Sequence, residues 1–170
     1  MRSLSPLSWV LWGGLGACQP APAFEAERAY HGTMAGLLAD NAALARQFQD
    51  LAVKVKKDRP AADVVAARFA DDFIPAARTL ADAAAAVTPG TRALTELHPQ
   101  LVDAWSERVT LYESAHSAWK AQDLAALDRA AEATVLNRRA EEAWLRDVNI
   151  VLAGAELALE AYPPAPAIAP

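Results

Sequence analysis

FEAERAYHGTMAGLLADNAALARQFQDLAVKVKKD, residues 24–58, contains no proline, and its large apolar residues Tyr30, Met34, Leu37, Leu44, Phe48, Leu51 and Val55 recur at steps of three, four and seven. Such steps return to one face of an α-helix, so the stretch reads as a single long amphipathic helix. Alanine, the residue with the lowest helix-forming cost, fills much of the remainder. Lys54, Lys56 and Lys57 fall where a helix C-terminus attracts cations, and Pro60 ends the segment.

The same period continues beyond Pro60. Residues 61–87 carry Val65, Phe69, Phe73, Ala76, Leu80, Ala83 and Val87 on one stripe. Pro75 falls inside it, where the missing amide donor and the ring clash should bend the helix. Thr88-Pro89-Gly90 is a turn. Residues 91–121 place Leu94, Leu101, Trp105, Val109, Tyr112 and Trp119 on a third stripe that passes through His98-Pro99. Asp123 is a suitable N-cap for a fourth helix. That helix is predicted to reach Tyr162, with Leu124, Leu127, Ala131, Trp144, Val148, Leu152, Ala155 and Leu159 inward, and a 163–170 tail rich in proline cannot extend it. No convincing strand is present. Four long helices with short connections pack most simply as an all-α, up-down-up-down antiparallel four-helix bundle spanning residues 24–162, in which the inward tryptophans Trp105, Trp119 and Trp144 build core rather than a stacking surface.

The segment before this domain has a different composition. Arg2 precedes an apolar stretch, Leu4 to Leu15, of signal-peptide length and too short to span a bilayer. It runs into Leu15-Gly16-Ala17-Cys18, which resembles the lipobox of bacterial lipoproteins: an aliphatic residue, two small residues and the cysteine to be modified. The resemblance covers this segment alone. It implies a signal peptide over 1–17, a diacylglyceryl thioether on Cys18, cleavage before it, and a tether formed by residues 18–23. Several acyl chains on one residue meet the requirement for stable anchoring. Gln19 after the cysteine matches the outer-membrane sorting pattern, so the resemblance places the domain in the bacterial cell envelope on a lipid anchor. The competing reading is cleavage after Ala21-Pro22-Ala23, which would release a free periplasmic protein.

Charge and motif content narrow the function by exclusion. The net charge is −5, and leaving out residues 1–17, whose one charge is Arg2, leaves 15 basic against 21 acidic residues, or −6. Binding along a phosphate backbone is disfavoured. One cysteine permits neither an internal disulfide nor covalent haem attachment through Cys-x-x-Cys-His. There is no nucleophile elbow and no glycine-rich phosphate loop. Glu113-Ser-Ala-His116 matches half of a di-iron helix motif, but neither His31 nor His98 follows a glutamate by three, so the second half is missing.

Two places remain as candidate sites. Asn137-Arg138-Arg139-Ala140-Glu141-Glu142 interrupts the stripe of the fourth helix. It reads as a solvated face with local ion pairs, or as a contact surface on which Arg138, Arg139, Glu141 and Glu142 meet a partner. His31 and His98 would lie at a similar height on diagonal helices, near Gly32, Gly36, Pro75 and Gly154, at a tight crossing or a distorted pocket. They are the candidates for a b-type haem or a transition metal, although no cofactor is expected. The composition as a whole points to a tethered, non-catalytic module that binds or scaffolds an envelope protein; an inhibitor or immunity lipoprotein would share the same features.

Overall fold

A computed structural model describes residues 24–160; Cys18, the leader, the spacer and residues 161–170 lie outside them. The described chain is all-helical, without a strand. Helix α1 spans Glu25–Asp58, about 50 Å at the helical rise. It is followed by α2 (Ala62–Arg68), a π-turn (Phe69–Phe73) and α3 (Ile74–Ala85), which form one interrupted rod. Helices α4 (Arg92–Ala121) and α5 (Leu124–Leu152) complete the set.

Local chemistry accounts for the boundaries. Thr91 and Asp123 cap α4 and α5 by accepting the amides of Leu94 and Ala126. Gln122, in the left-handed region at φ 53°, turns the chain between them, and the amide of Asp123 closes back onto the carbonyl of Ala118 at 3.0 Å. This six-to-one bond is the Schellman closure, achieved without glycine. Arg59 ends α1 in the same left-handed conformation.

The π-turn answers a phase problem. Val65, Phe69, Phe73, Ala77 and Ala81 are all buried and advance by four each time. In a straight α-helix four such steps drift by about 160°, so Ala81 would face away from the core that holds Val65. The wider turn, in which the amide of Ile74 reaches the carbonyl of Phe69, removes most of that drift. It also lies immediately before Pro75, whose missing amide is the expected cause of irregularity.

The fourth helix departs from the sequence reading at both ends. Leu124 is 75% exposed and Ala131 is exposed, while Ala130 is buried in their place. Helix α5 stops at Leu152, tightens into a 3₁₀ turn (Ala153–Ala155) and reverses at Glu156, φ 58°. Asn149 explains the sequel. Its side chain donates to the Leu159 carbonyl and accepts the Leu159 amide, at 2.9 and 2.7 Å. These bonds hold residues 157–160 against α5 and bury Leu159 without continued helix.

Trp105, Trp144, Met34, Phe73, Leu94, Leu101, Val148 and Leu152 form the centre of the core, and Trp119 packs against it half-buried. Phe48, Phe69, Phe73 and Tyr112 make an aromatic cluster with ring centroids 5.4–6.1 Å apart. Where the chain turns between α3 and α4, an added Cβ on Gly90 would fall 2.7 Å from the Cβ of Ala26. Glycine there permits the close approach of α1. Gly32 and Gly36, expected at a tight crossing or a distorted pocket, make no close approach: an added Cβ at either would meet nothing within 4 Å. No described helix is long and apolar enough to cross a membrane.

Candidate functional site

Besides the apolar stripe that enters the core, helix α1 meets its neighbours through polar contacts at separate heights, and the intervals shape the site. Near its start, the Tyr30 hydroxyl donates to His98 Nδ1 at 2.9 Å, and His98 Nε2–H donates to the carbonyl of Ala84 at 2.9 Å. The carbonyl can only accept, so the proton is on Nε2 and Nδ1 is the acceptor. Burial pushes the Tyr30 phenol well above its ordinary range, keeping it a donor. His31 Nε2 donates to the Ala158 carbonyl at 3.0 Å.

At mid-length Asn41, fully buried, faces Arg108 of α4 and Glu141 of α5. Arg108 donates to the Asn41 carbonyl oxygen and to one carboxylate oxygen of Glu141, while the Asn41 amide donates to the other. Arg108 Nε reaches Asn137 Oδ1 at 3.3 Å, and the Asn137 amide donates to the Ala104 carbonyl and to Glu107 at 2.7 and 3.1 Å. The Arg108 and Glu141 side chains are 10% and 2% exposed. A charge pair so removed from water is tolerated only when its remaining donors and acceptors are occupied, which this network accomplishes with two asparagines.

On either side of this polar bolt, α1 and α5 stand apart. The first chamber has a volume of about 600 Å³. Its α1 wall is Ala35, Leu38, Ala39 and Ala42, and its α5 wall includes Leu145, with Leu159 at the end. Alanines present only methyl groups, so the helices do not fill the space between them. Arg138, Glu142, Arg146 and Glu160 also line it, with Glu141 beneath. The second chamber, about 210 Å³, shares Ala42 and Arg138 with the first and is lined further by Arg46, Phe48, Arg108, Tyr112 and Val135. The Tyr112 phenol is raised above its ordinary range, first by burial, then lowered by nearby Arg108 and raised by Glu141. No protein family, curated protein or solved structure matches this chain.

The sequence-derived candidates divide accordingly. Arg138 and Arg139 are exposed, and Arg138 pairs with Glu142 at 3.1 Å along the helix. Glu141 does not belong to that surface: it is buried at the chamber floor, because it and Asn137 occupy the same inward stripe as Trp144 and Val148. His31 and His98 are bound to different carbonyls, and the ring nitrogens of His98 are both occupied, so the pair is not arranged as axial ligands. Glu113 pairs with Arg78 at 2.8 Å. Among the described residues, no group of three or more His, Cys, Asp or Glu side chains is placed to hold a metal ion. Asn41 and Arg108 were missed by the sequence reading, although each occupies an inward position: Asn41 bisects the seven-residue step from Leu37 to Leu44, and Arg108 lies between Trp105 and Tyr112.

Proposed function

We propose that this chain is a membrane-tethered, non-catalytic module of the bacterial cell envelope, lipidated on Cys18, that binds another envelope protein along the seam between α1 and α5. The carrying observation is the 600 Å³ chamber, whose apolar walls are edged by Arg138, Glu142, Arg146 and Glu160. Apolar area supplies affinity and mixed charge supplies orientation and selectivity. In this reading the four rods run up-down-up-down. Contacts that support it pair Tyr30 with His98 near the starts of α1 and α4, and Asn41, Arg108 and Glu141 at the middle of α1, α4 and α5. The outer-membrane address rests on the lipobox resemblance and Gln19, with free periplasmic release as the competing outcome.

The tether is tested by mass spectrometry of the mature N-terminus, where lipid on Cys18 and its loss in Cys18→Ala, together with loss from the membrane fraction, are expected. A mature chain beginning at Phe24 would refute the anchor. The seam is tested by placing a photocrosslinking amino acid at position 39 or, as control, at exposed position 63 in living cells. A discrete adduct with an envelope protein from position 39 alone is expected; equal labelling from both positions refutes the seam as the binding face.

A further inference from the structure

We propose that the second chamber of the seam binds a small aromatic carboxylate. Its size comes first. An apolar cavity of about 150 Å³ accommodates benzene, and a water takes about 30 Å³ of liquid volume. The 210 Å³ of this chamber is therefore large enough for a six-membered ring bearing a small substituent. Ala45, Phe48 and Val135 provide apolar wall, with Phe48 stacked on Tyr112 at a centroid distance of 5.4 Å and an interplanar angle of 17°.

Charge selects the anion. Three arginines, Arg46, Arg108 and Arg138, line the chamber and no carboxylate does, in a chain whose net charge is −5. The adjoining chamber carries Glu141, Glu142 and Glu160, so the contrast lies within one seam. Arg108 is neutralised by Glu141, and Arg138 is shared with Glu142. Arg46, exposed at the mouth, makes no ion pair with a described residue. It supplies the uncompensated positive charge.

Tyr112 supplies a directed hydrogen-bond donor. Buried side-chain polar groups normally have a partner; among the described residues the buried atoms without one are the indole nitrogens of Trp105 and Trp144, and the Tyr112 hydroxyl is not one of them. The Tyr112 ring is buried and lines the chamber, while its hydroxyl, which bonds to no described residue, keeps access to solvent and is free to donate there. A carboxylate oxygen in the chamber accepts that hydroxyl in a charge-assisted bond. Because its phenol is raised above the ordinary range, Tyr112 remains a donor at neutral pH.

The proposal is independent of the envelope partner and is tested on the purified mature protein by calorimetric titration with benzoate, benzyl alcohol and inorganic phosphate. Benzoate is expected to bind at one site, at least tenfold more tightly than either comparator. Tyr112→Phe should weaken benzoate about tenfold, the equivalent of roughly 1.5 kcal/mol for a hydrogen bond to a charged group. Arg46→Met, which keeps the side-chain stem at an exposed position, should weaken it severalfold and reduce its dependence on salt. Thermal midpoints and far-ultraviolet dichroism verify that both variants are folded. Absence of benzoate binding at millimolar concentration, equal affinity for benzyl alcohol or phosphate, or unchanged affinity in both variants would overturn the proposal.

Discussion

Replacing Glu141 with leucine would leave the Arg108 guanidinium in the core without its counter-charge. Removing one member of a buried ion pair costs about 3–5 kcal/mol, mostly because the other charge remains desolvated. Here Arg108 is not stripped bare, since Asn41 Oδ1 and Asn137 Oδ1 still accept from it, and its side chain retains 10% exposure. The cost should therefore fall at the lower end, about 3 kcal/mol, with a fall in thermal midpoint of roughly 10 °C for a domain of this size. The double variant Arg108→Met with Glu141→Leu removes both charges while keeping apolar volume, and should be more stable than Glu141→Leu alone by about 1–2 kcal/mol. Urea titration followed by helical dichroism measures all three proteins, with an unchanged m-value showing that the same surface is exposed. A single-variant loss below about 1 kcal/mol, or a double variant no more stable than Glu141→Leu alone, would refute the claim that these charges depend on one another.

Tyr30→Phe deprives His98 Nδ1 of its donor inside the core and should cost about 1–2 kcal/mol by urea titration; a neutral result would mean that another donor replaces it. Tyr30 and Tyr112 both hold their phenols above the ordinary value of about 10, so the fold favours their neutral forms: this contribution is complete below about pH 10 and is lost as pH rises beyond it. Thermal midpoints should accordingly drop on the alkaline side of about pH 10, and less steeply in a Tyr30→Phe, Tyr112→Phe double variant; identical slopes would contradict the assignment. Gly90→Ala puts a methyl 2.7 Å from the Ala26 Cβ and should destabilise by about 1–3 kcal/mol, with recovery in Gly90→Ala, Ala26→Gly; no recovery would locate the strain elsewhere.

Apolar periodicity made the four rods readable, and the capping chemistry of Asp123 made the start of the last one readable within a residue. The seam was hidden by the same method. A stripe traced through apolar residues alone passes over Asn41 and Arg108 and treats Asn137 and Glu141 as an interruption, although the spacing of all four is inward. The informative sign was their register, because a polar residue at a core position requires a partner from another helix. The end of α5 was hidden for another reason. Ala155 and Leu159 continue the helical spacing, but the competing bonds from the Asn149 side chain and the left-handed Glu156 are tertiary and local-backbone choices that periodicity does not encode. The chambers themselves arise where Ala35, Ala39 and Ala42 leave space, and alanine in a helix-rich sequence signals helix before it signals a gap.

The π-turn has a consequence for how this sequence is compared with others. A π-turn accommodates one residue more than the α-helical turn it replaces. A chain lacking a single residue between Phe69 and Phe73 would close the rod into regular helix while Val65 upstream and Ala77, Leu80 and Ala84 downstream kept their neighbours. Length variation is ordinarily assigned to loops, and alignments discourage gaps inside helices. For this rod the sound place for a one-residue gap is its middle, and an alignment that moves the gap to the loop at residues 86–91 would shift every position of α3 by one.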